Sequence, residues 1–307
     1  MNKAFAKCIS LTIGFSSIVI TIGTSSSANA DPFVGLSAFP MNQNFPCEQW
    51  FKAMEGVQKP AMAVLWGTFG RDKSCANRFM NQNRNQPHLL EIHFSNQTCL
   101  QNLGNPERKC QRGELTQGLN VDQFNQDLIN NNPDLIEKIK TRVQRIKAWV
   151  DSAKNSNTQI VLSTGLEDNY KDGAYGKMVE LIREAGWSYP IARNPEQNSY
   201  QNFKDANYLE LHPGKTRLNQ YPEWNNGNRK PAKPGACIVN LDGVSAPDEV
   251  SVEQAKGFIQ RHQDCYAVFL WNKDSQGLGS GKPPMERDFS LSNDHVSKLN
   301  DAMRNWR

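Results

Sequence analysis

The chain lacks the short signatures that name a reaction outright. There is no G-x-S-x-G, so no serine nucleophile on a strand-to-helix elbow is indicated. There is no H-x-H, no H-E-x-x-H and no C-x-x-C, which removes the compact metal and redox motifs. Neither sign of charge is in excess: 35 Lys and Arg face 31 Asp and Glu, a net charge of +4. The basic residues are dispersed, so nucleic acid and anionic membrane are not expected as partners. The group Lys138, Lys140, Arg142, Arg145 and Lys147 falls on a predicted helix and reads as its solvated face. Long apolar runs are missing after the first thirty residues, and the mean hydropathy of -0.66 agrees. No membrane span is therefore expected in the remainder of the chain.

Those first thirty residues read as an export signal. Lys3 and Lys7 form the charged start, Ile9 to Ile22 a mostly apolar stretch too short for a span, and Ala28-Asn29-Ala30 a small-residue cleavage site. Cleavage is expected before Asp31, leaving a net charge of +2 and a periplasmic or secreted protein. Of 7 Cys, Cys8 leaves with the signal. The remaining even number suits an oxidising compartment. Cys99 and Cys110 flank a Gly/Asn/Pro-rich loop, and Cys237 and Cys265 begin two consecutive predicted strands. The expected disulfides are thus Cys99–Cys110, Cys237–Cys265 and, from the remaining two cysteines, Cys47–Cys75.

Strands are predicted at Met62–Phe69, Leu89–Phe94, Gln159–Thr164, Asn207–His212, Cys237–Asp242 and Cys265–Asn272. A shorter one is predicted within Trp187–Arg193, where Pro190 weakens the pattern. Helices are predicted over about 121–153, broken at Asn131-Asn132-Pro133, and over 175–185, 252–262 and 292–305. Strands that alternate with helices or long crossovers predict a parallel sheet with helices outside. The best fit is one α/β domain over residues 31–307, a (β/α)8 TIM-type barrel that allows for one or two distorted strands, with long disulfide-bearing loops. An open doubly wound sheet is the alternative. The closed form is preferred because several strands carry polar residues on one face.

That polar face is the most informative feature. Residues two apart in a strand share a side. Glu91 and His93 therefore oppose Leu90, Ile92 and Phe94. Glu210 and His212 oppose Leu209 and Leu211, and Asn240 and Asp242 oppose Val239 and Leu241. Acids, imidazoles and amides gather near strand C-terminal ends, where a parallel barrel keeps its active site. Glu167 lies just past an apolar strand in a Gly-led turn.

With these features the chain resembles the glycoside-hydrolase type of α/β barrel over most of its mature length. The resemblance implies two carboxylates at strand ends, one protonating the glycosidic oxygen and the other attacking the anomeric carbon or activating water. Glu167 is the expected acid and Glu210 the expected nucleophile or base. Glu91, His93, His212, Asp242 and Asn240 are expected in support. Such barrels commonly carry Asn directly before the acid, whereas Leu166 precedes Glu167 here. Trp66, Trp271, Tyr170 and Asn272 are expected to contact a carbohydrate substrate, by ring stacking or hydrogen bonds to hydroxyls. No metal or cofactor is expected, and nothing in the sequence speaks to oligomeric state. Two other readings stand beside this one. The first is a non-catalytic barrel that binds a glycan or a surface partner. The second is a metal-dependent hydrolase built on Glu91-x-His93 and Glu210-x-His212.

Overall fold

The computed structural model describes residues 31–37, 47–66, 73–94, 121–164, 170, 173–193, 206–211, 235–241, 251–271 and 293–307. Eight strands occur in them: β1 (Phe33–Ser37), β2 (Pro60–Leu65), β3 (His88–His93), β4 (Thr158–Ser163), β5 (Ile191–Arg193), β6 (Tyr208–Leu211), β7 (Cys237–Leu241) and β8 (Ala267–Trp271). Each pairs in parallel with the next, and β8 pairs with β1, so the sheet closes into a barrel. Seven helices among the described residues lie outside it. They are α1 (Cys47–Ala53), α2 (Ser74–Gln82), α3 (Val121–Ile129), α4 (Pro133–Ala153), α5 (Ala174–Glu184), α6 (Val252–Arg261) and α7 (Asn293–Arg304). The closed barrel is the expected fold. No helix among the described residues is long and apolar enough to cross a membrane.

Local chemistry accounts for several element ends. The Asn131-Asn132-Pro133 break separates α3 from α4. Asn131 takes a left-handed backbone (φ 57°), and the Asn132 side chain accepts from the Asp134 and Leu135 amides, so it caps α4 with Pro at its first turn. Ser251 and Gln254 form a reciprocal capping box at the start of α6. Gly186, at φ 92°, closes α5.

Two apolar layers follow from strand alternation. The outer layer lies between sheet and helices and holds Leu36, Met62, Val64, Leu90, Ile92, Leu162, Val239, Val268 and Leu270 with the apolar stripes of the helices. The inner layer is a separate cluster of Phe33, Ala61, Ala63, Leu89, Val161, Ala192, Ile238, Ala267 and Phe269. It fills the lower barrel. Its floor is aromatic. Tyr208 and Tyr266 stack at 4.3 Å, Phe33 lies 5.3 Å from Tyr266, and burial pushes both phenol groups above their ordinary range. Gly35 of β1 allows a close approach to the neighbouring strand β2. A Cβ built there would lie 1.9 Å from the Ala61 carbonyl oxygen on β2.

Disulfides join Cys47 to Cys75 and Cys237 to Cys265, with Cα atoms 5.9 and 4.7 Å apart. Cys99 and Cys110 lie outside the described residues. Each observed bridge spans 28 residues of chain. Chain-entropy reasoning for a loop of that size gives about 3–4 kcal/mol of stabilisation per bridge. The C237A/C265A double variant is therefore expected to lose about that much stability, read as a lower denaturant midpoint. An unchanged midpoint would show that the bridge constrains nothing the strand pairing does not already fix.

Candidate active site

The upper barrel is polar because the inward positions of four strands change character toward their C-terminal ends. On β3, Leu89 belongs to the inner apolar cluster, and Glu91 and His93 continue on the same face. On β4, Val161 is followed two residues on by Ser163. On β6, Tyr208 packs against the inner cluster and Glu210 follows. On β7, Ile238 is followed by Asn240. Glu91, Ser163, Glu210 and Asn240 have no exposed surface, and His93 keeps only 3%.

These side chains meet across the barrel. His93 Nε2 lies 3.5 Å from Glu210 Oε1 and 3.6 Å from Glu91 Oε2, so one imidazole stands between two carboxylates. Asn240 Nδ2 donates to Glu210 Oε1 at 3.0 Å, and the Ser163 hydroxyl donates to the other Glu210 oxygen. An ionised carboxylate only accepts hydrogen bonds, and both of these neighbours offer donors. Glu210 is thereby fixed in position from two other strands, the adjacent β7 and, beyond β5, β4. The end of β3 is held from outside, where Arg142 of α4 donates to the Phe94 carbonyl at 3.1 Å and lies over the Phe94 ring. Two carboxylates buried side by side are costly unless positive charge or protons accompany them. The imidazole between them meets part of that requirement.

Other residues singled out in the sequence fall elsewhere. Trp66 follows β2 on the parity of Met62 and Val64, which puts it in the outer layer. It is 9% exposed, its ring centroid lies 5.7 Å from Trp149 of α4, and Lys73 covers its face. Tyr170 is also an outer-layer core residue. It packs at 5.4 Å on Tyr175 and 6.3 Å on Phe124, it donates to the Thr164 carbonyl, and burial pushes its phenol well above the ordinary range. These two rings pack against helices instead of facing the barrel interior, a correction to their expected place on a sugar-binding rim. Trp271 is the last residue of β8, paired in register with Ser37. Glu167, His212, Asp242 and Asn272 lie outside the described residues. Ser163 was not anticipated, although its position two after Val161 on an inward face is the same signal that picked out Glu91.

No protein-family model matches the chain, and no curated protein matches it in sequence. Among solved structures it is similar to the YdhT protein from Bacillus subtilis (TM-score 0.46, 10% identity, over 81% of this chain and 84% of that one). It is also similar to endoglucanase Cel5A from the hyperthermophilic Thermotoga maritima (TM-score 0.43, 10% identity, 87% and 96%). A third is the endo-beta-N-acetylglucosaminidase from Cordyceps militaris (TM-score 0.40, 8% identity, 89% and 91%). At these scores and identities the likeness carries no argument about activity. The barrel itself is established by its strand pairing.

Proposed function

We propose that the chain is an exported glycoside hydrolase in which Glu210 is the nucleophile or base and Glu167 the proton donor. The observation that carries this reading is the setting of Glu210. It is a fully buried carboxylate near the C-terminal end of a barrel strand, aligned by Ser163 and Asn240 and backed by His93 and Glu91. A group that must attack one carbon, or one water, gains from being held in a single orientation before substrate arrives. Glu167 lies four residues beyond Ser163, and Ser163 touches Glu210, so the chain leaves β4 beside the carboxylate it would partner.

In the reaction, Glu167 gives its proton to the glycosidic oxygen as the bond to the anomeric carbon breaks. Glu210 either bonds to that carbon or removes a proton from the attacking water. Water supplies the hydroxyl of the new reducing end in both cases. His93 and Glu91 set the charge around Glu210, and Asn240, His212, Asp242, Trp271 and Asn272 serve the sugar and the two carboxylates.

The purified protein, incubated with cellulose, chitin, chitosan, mixed-linkage glucan and peptidoglycan, is expected to release reducing ends from at least one. Glu167→Gln should lower that release by about a hundredfold or more. Retention on a glycan affinity gel with no release from any substrate would support the non-catalytic binding reading and overturn the enzymatic one.

A further inference from the structure

We propose that Glu91, His93 and Glu210 together form a site for one divalent transition-metal ion of the Zn²⁺ type. Its occupancy would switch off the carboxylate chemistry proposed above. The binding claim stands on geometry and donor chemistry; its effect on turnover rests on the glycosidase reading.

The donor set is one imidazole nitrogen and two carboxylate oxygens, a mixture that suits borderline dications better than Mg²⁺ or Ca²⁺, which take oxygen alone. The three ligand atoms lie within 4.8 Å of one another. The two edges from His93 Nε2, 3.5 and 3.6 Å, compare with about 3.3 Å between neighbouring ligands in a tetrahedral site with bonds near 2.0–2.1 Å. The third edge, between the two carboxylates, is no longer than 4.8 Å.

The supporting contacts are those a metal site uses. A ligating carboxylate is commonly hydrogen-bonded from behind, as Ser163 and Asn240 do for Glu210. The ligands come from β3 and β6, two strands held at fixed separation by the closed sheet, so the site needs no loop to form. Two buried carboxylates beside one imidazole are also a donor set whose charge a dication offsets. Three protein ligands leave a fourth position of a tetrahedral ion to water. Once a Glu210 oxygen is bound to the metal, its lone pair is no longer available to an anomeric carbon or a water proton.

The test uses the full protein stripped with EDTA and titrated with ZnCl₂ against a chromophoric zinc indicator. One equivalent should bind in wild type. Glu91→Gln and His93→Gln should each weaken binding by tenfold or more, since removing even a supporting group costs that much at metal sites. Each ion-free variant should still melt cooperatively, which shows that it folds, and Zn²⁺ should raise the thermal midpoint of wild type by more than that of either variant, which shows that the ion binds the native state. Absence of binding, or equal binding by wild type and both variants, would overturn the site. If Zn²⁺ binds as described and no glycan is hydrolysed under any condition, the metal site stands and the glycosidase reading falls. If hydrolysis occurs and is unaffected at one bound equivalent, the claimed inhibition is overturned.

Discussion

Glu210→Gln is expected to lower turnover by about a thousandfold or more, with the barrel still folded. The substitution keeps the volume of the side chain and removes its charge. Its neighbours tolerate the change. The Ser163 hydroxyl can rotate to accept as well as donate, and the Asn240 amide can still donate to the remaining carbonyl oxygen. The loss of one of two adjacent buried negative charges relieves repulsion with Glu91 and offsets part of any lost hydrogen bonding. What cannot be replaced is the nucleophilic or basic oxygen. Steady-state kinetics on the best substrate from the glycan panel, with circular dichroism to check the fold, measure both halves of the expectation. Ser163→Ala and Asn240→Ala should cost less, about ten- to a hundredfold, because they align the carboxylate without reacting. Full activity in Glu210→Gln would remove Glu210 from the reaction.

Gly35→Ala should be strongly damaging, because of the described glycines Gly35 leaves the least room for a methyl group. The new Cβ would fall 1.9 Å from the Ala61 carbonyl oxygen and 2.9 Å from its Cα, and both are backbone. A side chain can turn away, but a paired strand can yield only by moving the pairing Gly35↔Ala61 itself. About 3 kcal/mol of lost stability is expected, at the upper end of overpacking costs. Denaturant melts should show the midpoint falling. Gly257→Ala supplies the contrast. Gly257 lies inside α6, and a Cβ there would meet only the flexible Arg261 guanidinium at 3.3 Å. That change should be neutral or stabilising by about 0.5 kcal/mol, because alanine favours helix more than glycine does. Equal effects from the two substitutions would mean that the strand approach at Gly35 is not tight.

The polar strand ends were readable because alternation is a rigid rule. Glu91, His93, Glu210 and Asn240 fall inward for the same reason that Leu90, Ile92 and Val239 fall outward. The same rule, applied to β2, would have corrected Trp66. Ala61 and Ala63 face in, so Met62, Val64 and Trp66 face out. An aromatic side chain near a strand end looks like a sugar platform until its parity is counted. Tyr170 gives no such warning, because it lies on neither a strand nor a helix, so no period applies to it, and it packs on Tyr175 of α5 and Phe124 of α3. β1 was missed for a different reason. FVGLS is five residues long, contains a glycine, and gains its pairing from partners about 25 and 230 residues away. α1 and α2 were also missed. They are short, and α1 and α2 are tied to each other by Cys47–Cys75.

The seam between β1 and β8 sets when this cylinder can exist. Phe33–Ser37 zips onto Ala267–Trp271, segments roughly 230 residues apart, and no nearer stretch completes the circle. A nascent polypeptide lacking its last strand therefore has two raw sheet edges and no sealed interior, and the loop entropy of joining them is met only at the finish. Were the chain threaded through a translocation pore, as proposed, a cylinder sealed last would be compatible with passage as a slack polymer and closure on the far side.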